Sequence, residues 1–550
     1  MAVFLDIFGY LSVILRGLVL AAQSLTVGGV AFLLLLARPL AADLGAAGEI
    51  MERRSRRLLR WAALAFAASE LVSVAMQCAV LVGTVDIAPG DALGADFAIA
   101  GLVLAAAGAA IAWASRLQLA GAGGAALGLL EVLVLMAQAA TSHAMARLDD
   151  RAPLAAADIL HMAGAAVWIG GIPYFLIALA GNGSGEAWRR IGRRFSRMSM
   201  ASVAVLSAAG LYMAVIYIGS PDAIYGTAYG VMVATKVALL AGLLFLGGMN
   251  FLAVEHLRRD PATPILRLRR FAEVEIGIGL TVLFAAASLT SQPPGADLTA
   301  DRASWSEVVH RLTPEWPLLR SPDRSELTIY QMEAARQAAA QSNPQLPRAY
   351  VPGSGIVPPR DAADIAWSEY NHHWAGIAVL LIGLLALAER ARIAAWARHW
   401  PLIFVALATF LFFRSDPEVW PLGDVGFLES LRDPEVVQHR IFVALIAGFG
   451  IFEHRVRTGR IRAPGAALAF PLLTAMGGAL LLTHQHALSN IKDQLLIEIT
   501  HVPLALLGIT AGWARWLELR LDPPGNRIAA WVWPIAFVLV GAVLLAYRET

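Results

Sequence analysis

Apolar stretches long enough to cross a bilayer, at roughly 20 residues per crossing, recur along most of this chain. About fourteen are present, near 7–36, 58–82, 95–115, 121–143, 153–180, 197–218, 228–254, 271–291, 373–389, 400–414, 435–454, 465–483, 493–517 and 529–547. The pattern predicts an all-α polytopic membrane protein of about fourteen transmembrane helices in two bundles. A polar, proline-rich interval separates the bundles. The expected division is an eight-helix membrane domain at 1–291, an external linker at 292–370 and a six-helix, His-rich membrane domain at 371–550. Within the linker, SELTIYQMEAARQAAAQ (325–341) is amphipathic and predicts a short helix lying on the surface. No internal repeat relates the two bundles.

Composition agrees with this picture. Of the 550 residues 58% are hydrophobic and 15% charged, against roughly 25% charged in a soluble domain. The net charge of +2 conceals a sorting of arginines into particular loops. Clusters occur at Arg53–Arg60, Arg189–Arg197, Arg258–Arg270, Arg390–Arg398 and Arg455–Arg462, while loops such as DIAPGDALGAD (86–96) and SDPEVWPLGD (415–424) are acidic or neutral. By the positive-inside rule the basic loops are cytoplasmic and both termini lie outside. The lipid bilayer is the obvious partner. The one cysteine, Cys78, allows neither a disulfide framework nor a cysteine-based zinc site within the chain. The first apolar segment is too long for a cleaved signal peptide. No basic patch interleaved with aromatics points to nucleic acid, and the absence of a G-x-x-x-x-G-K-[ST] loop argues against nucleotide-driven transport.

Against this background the twelve histidines matter, because His143, His161, His372, His373, His439, His484, His486 and His501 all fall at or near the expected outer ends of helices. Clustered neutral imidazoles are a common way to hold a transition metal or haem iron. In the first bundle His143 closes the fourth span and His161 lies about two turns into the fifth. Met145 and Met162 adjoin them, giving a soft imidazole and thioether set that suits Cu(I). Asp158 precedes His161 by three positions and shares its helical face, as a second-shell acceptor would. The competing reading is a pair of interfacial histidines bonded to backbone. Arg16, Glu70, Glu131 and Lys236 are ionisable residues inside spans and need an account. They are either internal ion pairs, Arg16 with Glu70 and Lys236 with Glu131, or an intramembrane polar path for ions or protons.

The second bundle is richer in imidazole. NHHW (371–374) opens the ninth span, QHR (438–440) the eleventh, THQH (483–486) closes the twelfth, and EITHVP (498–503) places His501 inside the thirteenth, with Glu498 on the same face as ligand or orienter. Two readings stand. One is a copper site using about three of these imidazoles; the other is haem b between facing helices, for which His439 and His501 are best placed.

SHA (142–144) followed by DILHMAGAAVWIGG (158–171), RRFSRMSM (193–200), YGVMVATK (229–236) and a late Glu275 helix ending in QPP (292–294) resembles the copper-resistance D family of bacterial inner-membrane proteins. WPLGD (420–424), the QHR helix, THQH and RWLELR (515–520) resemble extended members of that family. The resemblance implies copper handling at the cytoplasmic membrane, often beside a periplasmic copper carrier protein, with His143 and His161 as the copper contacts. Copper import from the periplasm is therefore the expected function. The alternatives are a haem b- or copper-containing membrane redox protein and a copper-delivery factor for a respiratory enzyme.

Overall fold

The computed structural model describes residues 2–85, 87–117, 121–147, 149–181, 184–340, 360–483 and 491–549. Among the described residues the regular structure is helical, with no strand and one isolated bridge between Val419 and Val425. The chain divides into two compact units, Leu11–Arg302 and Ala303–Thr550, the latter grouped with Met1–Tyr10. Twelve helices are long and apolar enough to cross a membrane, and two shorter apolar helices, Leu402–Arg414 and Ala466–Leu481, coincide with the other expected crossings.

The first unit contains eight long helical segments. They are α1 (Leu11–Leu44), α2 (Ala46–Val85), α3 (Asp96–Ala114), α4 (Ala122–Ala140), α5 (Arg151–Gly181), α6 (Gly185–Ile218), α7 (Ala228–Arg259) and α8 (Leu266–Leu289). Helices are expected here because lipid offers no partners for backbone N–H and C=O groups, so each segment must bond to itself. Large side chains such as Leu129, Leu211 and Phe245 remain exposed on the outer faces, where lipid replaces protein as their solvent. The core gathers Phe32, Tyr174, Phe175 and Phe195, with Phe175 and Phe195 stacked at 4.4 Å. Both α1 and α5 carry a π-turn, Leu33–Ala37 and Ala166–Gly170. The α5 turn lies against α1 so closely that a Cβ on Gly170 would overlap the Ser24 carbonyl. Small residues at such crossings let helix backbones approach in lipid, where packing rather than hydrophobicity drives association.

The second unit begins with two short helices, α9 (Trp305–Leu312) and α10 (Thr328–Ala340), the latter within the amphipathic piece expected to be helical. It continues with α11 (Ala362–Arg390), α12 (Leu402–Arg414), α13 (Pro434–Arg457), α14 (Ala469–Leu481), α15 (Ile491–Arg520) and α16 (Arg527–Leu545). One boundary departs from expectation in a way that moves chemistry. NHHW does not open its helix, because α11 starts at Ala362 with a capping box between Asp361 and Asp364. The polar run Asp364, Ser368, Glu369, Asn371 conceals this start from a hydropathy reading, although the D-x-x-D spacing is a helix-start signal. His372 and His373 consequently sit nearly three turns inside a helix.

The basic end of this unit is tied by charge and aromatic contacts. Arg457 bonds Glu389 at 2.7 Å and Glu453 at 2.8 Å, and its guanidinium lies 4.5 Å from the Trp400 ring centroid. Glu518 receives Arg515 at 2.5 Å and the Trp533 indole at 2.6 Å. Charges at such a position need partners, and each of these has them.

Candidate functional site

In the first unit the polar centre is built around α5. His161 is half-buried, and its Nδ1 lies 3.0 Å from the Leu206 carbonyl on α6. A carbonyl only accepts, so Nδ1 carries the hydrogen and the lone pair is on Nε2. Gly210, one turn further along α6, makes room for the ring: a Cβ there would stand 2.9 Å from His161 Cε1 and 3.0 Å from Nδ1. The ring is thus oriented by backbone. Asp158, expected to orient it, acts electrostatically on Arg16 from α1, on Lys236 from α7 and on Tyr217 and Tyr229. Arg16 also faces the buried Glu70 of α2, and Lys236 faces His161. Asp158 thus acts on both cations, Arg16 and Lys236, and of the two Lys236 also acts on the His161 imidazole. Towards the non-basic end, Arg147 lies over the Tyr217 ring at 5.4 Å and pairs with Asp297 at 3.1 Å, and Tyr217 meets Tyr229 edge-on at 6.2 Å.

The other expected residues of this unit divide. Met162 packs against the hydrophobic core, and the Met145 carbonyl accepts from Arg151 at 2.6 Å. The backbone of His143 forms a short helix, His143–Ala146, while its side chain lies outside the described atoms. Arg16 and Glu70 act on each other electrostatically, but among the described residues no ion pair joins them and Glu70 Oε1 is buried without a hydrogen-bond partner. Among the described residues no ion pair joins Lys236 to Glu131; Asp158 is the carboxylate that acts on Lys236.

In the second unit α11 and α15 bring His372 and His501 together, with ring centroids 6.1 Å apart and planes nearly perpendicular. Each Nδ1 faces the carbonyl one turn earlier on its own helix, Ser368 at 2.9 Å and Ile497 at 2.8 Å. The same reasoning puts both lone pairs on Nε2, the form that binds metal. Tyr547, just beyond α16, stacks on His372 at 3.9 Å and meets His501 edge-on at 5.7 Å. Its hydroxyl donates to Glu549 at 2.9 Å, and Arg360 holds the other Glu549 oxygen at 2.7 Å. Burial alone would raise the Glu549 carboxyl, but the Arg360 guanidinium and the hydroxyls of Ser368 and Tyr547 outweigh it and keep it below the ordinary carboxylate range. Burial and the adjacent Glu549 push the Tyr547 phenol upward. The arrangement offers two neutral imidazole donors, His372 and His501, while the Glu549 oxygens are engaged by Ser368, Tyr547 and Arg360.

His373 plays a different part. Its Nδ1 accepts from the Leu318 amide at 2.8 Å and its Nε2 donates to the Tyr547 carbonyl at 2.9 Å, so both nitrogens are engaged by backbone. His439 bonds Asp416 at 2.6 Å. The haem reading paired His439 with His501, whereas the ring packed against His501 belongs to His372. Glu498 is half-buried on α15, one turn before His501. His484 and His486 lie outside the described residues. Among the described residues no group of three or more His, Cys, Asp or Glu is arranged to hold a metal. Sequence reasoning missed Gly210, Tyr217 and Tyr229 in the first unit, and Tyr547 and Glu549 in the second. A Y-x-E directly after the last span was a usable signal for the latter two; a glycine within a helix was none.

Fold and sites together define a multi-pass α-helical membrane protein with ionisable groups and imidazoles gathered inside its helical units. Residues 189–289 match the family model for Copper resistance protein D. The chain is also 32% identical over 164 residues to a protein described as copper transport protein CutJ of Bacillus subtilis (strain 168), a match spanning 29% of this chain and 29% of that relative. The resemblance to copper-resistance D is therefore borne out. No solved structure matches. The family match covers most of α6, all of α7 and all of α8, and so includes Leu206, Gly210 and Lys236, which act on His161, together with Tyr217 and Tyr229.

Proposed function

We propose that this protein handles copper in a bacterial inner membrane and moves it inward from the periplasm. The observation that carries the reading is the position of the family match, on the helices that orient and surround His161. Copper as cargo would meet imidazole nitrogens at the non-basic ends of the units, His372 and His501 in one and His161 in the other. Imidazole with an available lone pair is a suitable ligand for copper in either oxidation state. By the positive-inside rule the five arginine-rich loops support an orientation with the basic ends in the cytoplasm and both termini in the periplasm. A periplasmic copper carrier is the natural donor to such a face, and the chain contains no loop for binding nucleotide phosphates.

The test is cellular copper content. His161→Ala should lower copper accumulation several-fold while leaving membrane insertion and protein level unchanged. Accumulation equal to that of the wild type, in a well-expressed variant, would remove His161 from the path.

A further inference from the structure

A second buried polar group in the first unit lies apart from the His161 centre. Glu275 is nine residues into α8, ~14 Å along the helix at 1.5 Å per residue, which is close to half of a roughly 30 Å hydrocarbon core. It is 4% exposed. Two donors reach it from two other segments: the Asn250 carboxamide of α7 donates to Oε1, and the Trp168 indole donates from the π-turn of α5. Both donors are neutral. The segment 162–181, which contains that turn, has no charged residue. On α7 the charged residues are Lys236, some 21 Å from Asn250 along the helix, and Glu255, His256, Arg258 and Arg259 at the basic end, where Glu255 pairs with both arginines. On α8 itself Arg270 pairs with Glu273, and Arg267 and Arg269 lie in the first turn. Among the described residues no cation pairs with Glu275.

An isolated carboxylate at this depth is expensive unless its charge is neutralised. The same site contains an unexplained atom: Asn250 Oδ1 is buried and has no hydrogen-bond partner. A carboxylic acid resolves both problems together. It is uncharged, and its O–H supplies the donor that Oδ1 lacks, while the carboxamide N–H continues to donate to the other carboxyl oxygen. Such a reciprocal acid–amide pair is fully satisfied in the proton-loaded state only. Gly247 leaves space beside it, since a Cβ there would still clear Trp168 Cζ2 by 3.8 Å and Glu275 Oε2 by 4.0 Å.

We propose that Glu275 is a proton-binding site in the membrane interior, loaded as a carboxylic acid paired with Asn250, which couples proton movement to cargo movement through this unit. Loading is protonation of the carboxylate by a proton from one aqueous face, and unloading returns that proton to water at the other. The coupling half rests on the transport reading above. The proton site does not depend on the cargo being copper.

The experiment uses the full-length protein in membranes and dicyclohexylcarbodiimide, which modifies protonated carboxyl groups in apolar surroundings, with the modified peptide mapped by mass spectrometry. Labelling is expected at Glu275, falling roughly tenfold for each pH unit above its midpoint and absent in Glu275→Gln. Asn250→Leu should move that midpoint. Glu70 and Glu131 report reagent access, so labelling of either one without Glu275 would overturn the assignment. Protection of Glu275 by sodium ions at constant pH would also overturn it, in favour of an alkali cation. Should no carboxyl be labelled, acid-minus-alkaline infrared difference spectra decide: a carboxylic-acid carbonyl band removed by Glu275→Gln supports the site, and an unchanged band refutes it. Copper is absent from these measurements, so failure of the copper reading in His161→Ala remains distinguishable.

Discussion

His373 and His372 are neighbours in sequence, yet they carry different duties. An α-helix turns about 100° per residue, so one ring meets backbone and the other meets Tyr547 and His501. Removing the His373 ring leaves the Leu318 amide and the Tyr547 carbonyl without their bonds in a site that is 4% exposed. His373→Ala should therefore destabilise this unit by about 2–4 kcal/mol, seen as a lower thermal midpoint in detergent with copper bound per folded molecule unchanged. Loss of copper without loss of stability would show His373 to be a ligand. Both histidines were found from the NHHW motif. Their division of labour was hidden, because a ring's partners come from segments about 55 and 175 residues away.

Elements set the surroundings of charged groups in the loop between α12 and α13. Residues 416–425 fold back on themselves, with Trp420 N–H donating to the Val425 carbonyl at 2.8 Å. Burial in this fold, with Asp416, Glu435 and Asp433 nearby, pushes Glu418 up to about 8. An acid raised on folding binds its proton more tightly in the folded state, so its contribution is complete below the ordinary carboxylate range and is lost as pH rises through about 8. The unfolding midpoint of this unit should fall across that interval, and Glu418→Gln should flatten the dependence. An unchanged slope in the variant would assign the effect to another group. From sequence the stretch SDPEVWPLGD reads as an acidic external loop, and the burial of one of its carboxylates follows only from the turn.

Each unit of the molecule holds its own imidazole centre, one formed by α5 and α6 and the other by α11 and α15 with the C-terminal residues. Replacing both His372 and His501 by Ala should weaken Cu(I) binding at the second unit by at least roughly 10-fold, measured by competition with a chromophoric chelator, and should leave the first unit's centre in place. Unaltered affinity would leave the pair as packing for Tyr547. Hydropathy alone located the spans, because transfer of a helix into lipid is close to a sum over its own residues and needs no knowledge of neighbours. The same local logic found Arg16, Glu70, Glu131 and Lys236 as residues too costly to sit in lipid unaccompanied, while His161 and Asp158 came from the imidazole pattern and its helical spacing. Which of them meet was decided by helix packing. Lys236 faces Asp158 and His161, Gly210 admits a ring, and Tyr547 stacks on His372 across 175 residues of chain. Pairings of that kind depend on how backbones cross and how closely small residues let them approach, and no local pattern in the sequence encodes the crossing.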